Sequence, residues 1–128
     1  MAETRTGSAT QKAFPQRGEI YLTALDAAVG HEIKRTRPAV VIQNDVSKRY
    51  AMTTIVAAIT SRVSVPPYPS EVVIQPGGSG LEVESTIRLD QVRTVDRRRH
   101  VKRFGKVDAT ALRRVDDAIK VSMGLVRL

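Results

Sequence analysis

The sequence predicts a mainly β fold, a small and strongly bent barrel that ends in an α-helix. Short runs of β-branched residues alternate with clusters of glycine, proline, asparagine and serine, which is typical of short strands joined by turns. Only the segment after Asp108 repeats its apolar residues at helical spacing. With 128 residues, the chain has the length of one domain.

Six segments have the composition of strands. The first begins at Glu19, and we expect it to end near Asp26. The second follows a charged loop at 27–36, and Pro38 suits its first residue because proline cannot donate to a sheet ladder. Asn44 and Asp45 then predict a turn, with Asp45 as the cap of a short helical turn that runs to residue 50. From the second strand onward, the predicted bounds are 39–43, 53–60, 71–75, 84–92 and 104–107.

The helix is predicted from its cap and its apolar stripe. Asp108 is a suitable N-cap, because its carboxylate can accept a hydrogen bond from the first turn. The apolar residues that follow define one face that packs on the sheet. They are Leu112, Val115, Ile119, Leu125 and Val126.

The composition points to a polyanionic partner. Lysine and arginine number 21 against 13 acidic residues, which leaves a net charge of +8. Aromatic residues make up only 4% and tryptophan is absent, so a broad base-stacking surface is not expected. If the partner is a nucleic acid, phosphate contacts should supply most of the affinity.

Other features narrow the class of protein. The chain has no cysteine, which excludes disulfides and thiolate metal sites and fits a reducing, cytoplasmic setting. No apolar run approaches the roughly 20 residues of a membrane helix. Residues 1–13 are polar and without the apolar core of a secretory signal, so we expect a disordered tail before a folded domain at 14–128.

The residues predict neither a metal site nor a cofactor. The two histidines, His31 and His100, lie far apart in the sequence. No pair of histidine or carboxylate residues has ligand spacing on a predicted helix.

The charged loop and the strand ends carry groups suited to phosphate chemistry. His31 can exchange a proton near neutral pH, whereas Arg37 stays charged and can stabilise a phosphoryl group. Thr60 ends the third predicted strand and offers a hydroxyl to the same oxygens. The alternative interpretation is an exposed loop histidine and an edge threonine.

A second candidate pair lies on the fifth predicted strand. Alternation puts Ile87 on one face and Arg88, Asp90 and Val92 on the other. A cation beside a carboxylate can bind phosphate and move a proton. The alternative is a surface ion pair.

Residues 93–106 form the densest basic segment. Seven cations occur in these fourteen residues, offset by a single aspartate, Asp96. We interpret this segment as a surface for the nucleic-acid backbone, with a solvated loop as the alternative.

Together, the blocks at 17–22, 30–32, 36–45, 55–61 and 87–96 resemble the MazF/PemK (Kid-like) toxins of type II toxin–antitoxin modules. The resemblance extends over about residues 17–125. It implies an SH3-like or CcdB-like barrel with a C-terminal helix, assembled as a homodimer with an RNA groove across its interface. It also implies metal-independent cleavage of single-stranded RNA, usually mRNA, and a small acidic MazE-like antitoxin that fills the groove.

The resemblance also implies roles for individual residues. Arg37 and Thr60 match the pair regarded as catalytic in MazF-type members. His31, Arg88 and Asp90 match the set proposed for PemK/Kid-type members, and this sequence carries both sets. We further predict RNA contacts from Glu32, Lys34, Arg35, Asn44, Lys48, Gln91 and Arg93.

The expected reaction is in-line attack of a ribose 2′-hydroxyl on the adjacent phosphate, giving a 2′,3′-cyclic phosphate and a 5′-hydroxyl end. The general base stays open between His31, Asp90 and Glu32. Many relatives have glycine or glutamine where Ile33, Lys34 and Arg35 stand here, so this loop should be stiffer and more positive.

Two other functions remain compatible with the residues. One is a non-catalytic barrel that inhibits a protein target such as gyrase, as CcdB-like toxins do. The other is a generic basic RNA-binding module. Neither gives a reason for Arg37, Thr60, His31 and Asp90 to occur together.

Overall fold

Six antiparallel strands form a single sheet, followed by one α-helix. The computed structural model of the chain describes residues 14–25, 35–45 and 52–127. Along the sheet the strands run in the order β4-β5-β3-β2-β1-β6. Their bounds are β1 Glu19–Leu25, β2 Arg35–Val41, β3 Thr53–Thr60, β4 Glu71–Ile74, β5 Ser85–Asp96 and β6 His100–Lys106, and the helix α1 is Ala109–Ser122. The predicted fold class, a mainly β barrel-like sheet with a C-terminal helix, is confirmed.

The two central strands of the sheet are β3 and β2. β3 has the predicted bounds, and its alanine and β-branched side chains pack on both faces of the sheet. β2 begins four residues earlier than predicted, because β1 supplies ladder partners as far as the pair Leu25–Arg35. Pro38 therefore lies inside the strand. It falls just outside the ladder with β3, which begins at the pair Ala39–Ala58, so no bond to β3 is lost there.

β5 is longer and less regular than predicted. It continues to Asp96, because Thr53–Val56 of β3 pair with its second half. The register shifts between Ala57 and Ala58, whose partners are Val92 and Arg88. This bulge turns Val92 toward the core, where it packs beside Ile87 and Leu89, so its predicted place on the Arg88 face is wrong.

The basic segment 93–106 is strand and turn, not a loop. It comprises the end of β5, a 3₁₀ turn at Arg97–Arg99 and the whole of β6. β6 begins at His100, four residues before its predicted start, because it pairs along β1. Tertiary pairing thus overrides the low strand propensity of the cationic run.

The two edges of the sheet meet and close the barrel. The backbone N–H of Lys106, on β6, donates to the carbonyl of Gly78 in the turn after β4 at 3.0 Å. This approach needs glycine on both sides. A Cβ on Gly105 would lie 2.3 Å from the Gly78 carbonyl oxygen, and one on Gly80 would lie 2.1 Å from the Phe104 carbonyl oxygen.

The helix packs one face into the main core, as predicted. Asp108 is the N-cap and accepts a hydrogen bond from the Ala111 N–H at 2.7 Å. Ala111, Val115 and Ala118 are buried among residues from β1, β2, β3, β4 and β5. The helix ends at Ser122, and the predicted extension of the stripe is wrong, because Leu125 is 72% exposed and Val126 is 44% exposed.

Candidate active-site groove

Arg37 and Thr60 lie side by side at the ends of neighbouring strands. The antiparallel register pairs Ala39 with Ala58, and its continuation by two residues places Arg37 opposite Thr60 on the same face. Both residues line one open groove of about 540 Å³. The sheet therefore brings together the two residues that the MazF-type pattern singles out.

The groove has an apolar floor and a cationic rim. Ile59, Leu81 and Phe104 contribute its apolar surface, and Lys102, Arg103 and Arg37 its positive charges. Among the described residues, Glu82 is the one carboxylate in the lining, beside the smaller residues Pro38, Ser61, Gly80, Val83 and Ser85. A groove with this balance favours a ligand that carries both phosphate charge and apolar rings.

Thr60 is held in place by the chain that follows it. Its hydroxyl accepts a hydrogen bond from the Arg62 N–H at 3.2 Å. The neighbouring Thr86, its partner on β5, donates to the Arg62 carbonyl at 2.7 Å. These two bonds fix the turn after β3, so the Thr60 side chain stays at the groove edge.

Arg103 is anchored by a carboxylate on β1. Its Nε lies 2.7 Å from Glu19 Oε2, and the other Glu19 oxygen accepts from the Tyr21 hydroxyl at 3.1 Å and the Gln16 N–H at 2.6 Å. Burial, together with the negative charge of Glu19, raises the pKa of Tyr21 to about 12. Glu19 thereby holds the guanidinium of Arg103 at the groove through a fully hydrogen-bonded carboxylate.

Arg88 and Asp90 form a bidentate ion pair in a different cavity. Arg88 Nε donates to Asp90 Oδ1 at 2.9 Å and Nη2 donates to Oδ2 at 2.7 Å, and a Glu71 oxygen lies 3.5 Å away. The hydrogen bond from Arg88 to Asp90 raises the pKa of the arginine, even though partial burial opposes the charge. The pair borders a cavity of about 530 Å³ with Tyr68 and Ser122.

The two predicted catalytic sets share a sheet face but not a cavity. Arg88 pairs with Ala58, two residues before Thr60, so its side chain lies on the Arg37–Thr60 face. The lining of the groove nevertheless contains neither Arg88 nor Asp90. Both Asp90 oxygens accept hydrogen bonds from Arg88.

Several other predicted site residues lie outside the groove. Arg35 and Asn44 are exposed or half-exposed near the two ends of β2, and Arg35 has a positive φ of 75°. Gln91 and Arg93 are half-buried on β5 and also do not line the groove. The remaining four predicted residues, His31, Glu32, Lys34 and Lys48, lie outside the described residues.

Sequence reasoning predicted Lys102 and Arg103 only as part of a general nucleic-acid surface, and it missed Glu82. Lys102 and Arg103 belong to the basic segment 93–106, but the predicted strand there begins only at Phe104. Glu82 follows the glycine-rich turn, whose composition predicts a turn and nothing more. The presence of Gly80 and Gly105 is the one available signal, since a strand and a turn that both carry glycine can approach closely.

His100 lies on β6 and is separated from Arg37 of β2 by strand β1. Thr23 pairs with Arg37 on one side and with His100 on the other, and its hydroxyl lies 3.0 Å from His100 Nδ1. The Thr23 hydroxyl also donates to the Tyr21 carbonyl at 3.1 Å. Burial, helped by the charge of Arg97, lowers the pKa of His100.

Two features are absent from the described residues, which are 14–25, 35–45 and 52–127. No cluster of three or more histidine or carboxylate side chains in these ranges could hold a metal ion. No helix within the same part of the chain is long and apolar enough to cross a membrane.

Comparison with known proteins gives consistent matches. A family model described as "PemK-like, MazF-like toxin of type II toxin-antitoxin system" matches residues 16–123. Endoribonuclease EndoA of Bacillus subtilis (strain 168) is 37% identical over 111 residues, which cover 87% of this chain and 96% of that protein.

Solved structures share the fold. MazF from Deinococcus radiodurans superposes with a TM-score of 0.72 at 25% identity, covering 87% of this chain and 97% of that chain. A mycobacterial endoribonuclease, determined in complex with its cognate antitoxin, superposes with a TM-score of 0.70 at 19% identity and covers 89% and 99% of the two chains.

Proposed function

Because this chain belongs to the PemK-like, MazF-like toxins of type II toxin–antitoxin systems, we propose that it is an endoribonuclease that cuts single-stranded RNA at a short recognition sequence. The observation that carries the proposal is that Arg37 of β2 and Thr60 of β3 line the same cationic groove. The net charge of +8 gives an RNA strand a general electrostatic attraction to the protein.

In the proposed reaction, the substrate supplies its own nucleophile. The 2′-hydroxyl of one ribose gives up its proton to a general base and attacks the adjacent phosphorus, and the bond from phosphorus to the 5′-oxygen of the next nucleotide breaks. That oxygen takes up a proton from water, so the products are a 2′,3′-cyclic phosphate and a 5′-hydroxyl. The Arg37 guanidinium, with the Thr60 hydroxyl, stabilises the negative charge that develops on the phosphoryl oxygens. DNA lacks the attacking hydroxyl and is not cut.

The general base is proposed to come from His31 or Glu32. Asp90, the third candidate, already accepts two hydrogen bonds from Arg88 and lies in the neighbouring cavity. We assign Arg88 and Asp90 to RNA binding beside the reacting phosphate, since they lie on the same face of the sheet as Arg37. No step in this scheme requires a metal ion.

The proposed partners are an acidic, MazE-like antitoxin and a second copy of the chain. The structure of a mycobacterial relative with its cognate antitoxin supports the first partner. The cationic rim of the groove gives an acidic antitoxin segment the same electrostatic attraction as RNA, so the two should compete.

Replacing Arg37 by alanine tests the proposed reaction. Purified protein is incubated with single-stranded RNA in EDTA, and the ends of the fragments are characterised. Loss of a charge-stabilising donor should lower the cleavage rate roughly a hundred- to thousandfold. Arg113→Ala is the matched control, because Arg113 is exposed on α1 and bonds only to Thr110 among the described residues.

The outcomes are distinct. Defined fragments with 5′-hydroxyl ends from the wild type and from Arg113→Ala, but not from Arg37→Ala, support the mechanism. Full activity in a folded Arg37→Ala protein refutes the role of the arginine. RNA binding without cleavage by the wild type would refute the enzyme and favour the non-catalytic module.

A further inference from the structure

The wall of the groove opposite Arg37 and Thr60 is built by two segments that are remote in sequence. Residues 80–83 form one part of this wall, and Lys102 with Phe104 forms the other part. They meet because Gly80 lies against the backbone of Phe104, at a distance that excludes a side chain. This wall belongs to neither of the two residue sets that the sequence resemblance marked as catalytic.

Lys102 has the position of a phosphate ligand. Its ammonium nitrogen lies 6.0 Å from the centre of the Phe104 ring, whose atoms line the groove. Phe104 is half-buried and packs on the main core, so the ring is a fixed support for the cation. Lys102 is exposed and makes no ion pair with any described residue, which leaves its charge available to a ligand.

A carboxylate such as that of Glu82 is not expected in a site that binds only phosphate. A carboxylate beside three cations weakens the attraction for a phosphate backbone. Glu82 forms no ion pair and accepts no hydrogen bond within the described part of the chain, so it does not serve to hold the fold. Its carboxylate can instead accept hydrogen bonds from the donor edge of a base.

The turn that carries Glu82 is rigid before any ligand binds. The Ser79 hydroxyl donates to the Gln75 carbonyl at 2.9 Å and accepts from the Leu81 N–H at 3.2 Å. Ser79 and Leu81 are buried, and Gly80 donates to the Gly77 carbonyl at 2.9 Å. A recognition group on such a turn loses little conformational entropy on binding.

We infer that this wall is a nucleotide subsite, in which Lys102 binds a phosphate next to the scissile one and Glu82 selects guanine. Guanine presents two adjacent donors, N1–H and N2–H, to the two oxygens of a carboxylate. Adenine, cytosine and uracil each present only one donor group on that edge. Val83 and Phe104 provide the apolar surface for the base. The inference rests on the proposed function for the position of the scissile phosphate.

The test measures binding rather than cleavage, so that the two proposals can fail separately. Labelled 2′-fluoro hexamers lack the attacking hydroxyl, and a uridine background carries one central guanine, adenine or cytosine. Fluorescence anisotropy at several salt concentrations gives the affinity and its salt slope for wild type and variants. Glu82→Gln and Lys102→Gln are compared with Glu84→Gln and Lys120→Gln, whose side chains do not line the groove and lie outside the basic segment 93–106.

Substitution of Glu82 should change the base preference, whereas substitution of Lys102 should change the overall affinity and its salt dependence. The wild type should bind the guanine hexamer about tenfold more tightly than the adenine hexamer, and Glu82→Gln should remove that preference. Lys102→Gln should weaken all hexamers alike and reduce the salt slope by about 0.7. The two control variants should behave as the wild type.

Each contrary result has a clear meaning. A guanine preference that survives in Glu82→Gln, or its absence in the wild type, overturns the base contact. An unchanged salt slope in Lys102→Gln overturns the phosphate contact. If the wild type discriminates between hexamers but does not cut RNA, the subsite stands and the proposed enzyme fails. If no hexamer binds, the subsite is refuted, and the proposed enzyme is judged by the cleavage of RNA alone.

Discussion

The close approach of Gly80 to β6 should make this position far more sensitive to substitution than its neighbours. Gly80 has a φ of +76°, and a Cβ there would lie 2.1 Å from the carbonyl oxygen and 2.5 Å from the carbonyl carbon of Phe104. Both atoms are backbone, so no side-chain rotation can relieve the contact. The turn or β6 must move, and the barrel closure at Gly78–Lys106 lies beside it.

Alanine variants of two other glycines in the same turn separate the cost of backbone strain from the cost of the steric contact at Gly80. Gly77 has a φ of +112°, and a Cβ added there would have nothing within 4 Å, so Gly77→Ala reports backbone strain alone. Gly78 has open space and no positive φ, so alanine there reports only the change in chain entropy. We expect Gly78→Ala to be neutral or to stabilise by about 0.4–1 kcal/mol. Gly77→Ala should cost about 1–2 kcal/mol.

Gly80→Ala should add a packing cost to that strain. Forcing an extra carbon into a closed contact typically costs about 1–3 kcal/mol, so the total loss of unfolding free energy should be about 2–5 kcal/mol. Urea unfolding of the three variants measures the series. If Gly80→Ala is no less stable than Gly77→Ala, the closure does not depend on this contact and the argument for a preformed groove wall fails.

Two further predictions concern the fold around the groove. Burial lowers the pKa of His100 in the folded protein. As the pH falls through about 6.5, His100 is therefore protonated in the unfolded chain before it is protonated in the folded protein. The unfolding free energy should decrease over this pH range. His100→Asn should flatten that dependence in urea unfolding at pH 7.5 and 5.5, and an unchanged slope would contradict the assignment. Asp108→Ala removes the N-cap of α1 and should cost about 1 kcal/mol in thermal unfolding, whereas Asp117→Ala, on the exposed side of the helix, should change little.

The local sequence pattern predicts two kinds of element. These are elements stabilised by contacts within themselves and strands that are buried on both faces of the sheet. β3 has the bounds predicted for it, because a continuous β-branched run between polar ends matches a strand buried on both faces. The helix start at Asp108 follows from its cap, which the Ala111 N–H satisfies. The charged starts of β2 and β6 are not predictable in this way. They are strands because β1 offers them ladder partners, and that information lies elsewhere in the chain.

The same distinction applies to the site. The Arg88–Asp90 pairing could be predicted from two-residue spacing on one strand, and the structure confirms that the two side chains meet. Their separation from the groove could not be predicted. It depends on the register of β5 against β3, which places Thr86 and not Arg88 beside Thr60, and on the segments that line each cavity.

One side of the groove is built from central strands and the other side includes a surface turn. The residues on the strands should therefore tolerate less sequence change than those on the turn. Arg37 and Thr60 are fixed by a register in the middle of the sheet, where a slip of one residue would turn every core side chain outward. Glu82 lies on a surface turn, and its side chain can be exchanged without altering the contact at Gly80. A barrel built in this way can keep the phosphate chemistry constant while the opposite wall changes the base that it accepts. The Glu82→Gln variant is therefore expected to alter base preference while Arg37 and Thr60 keep their geometry.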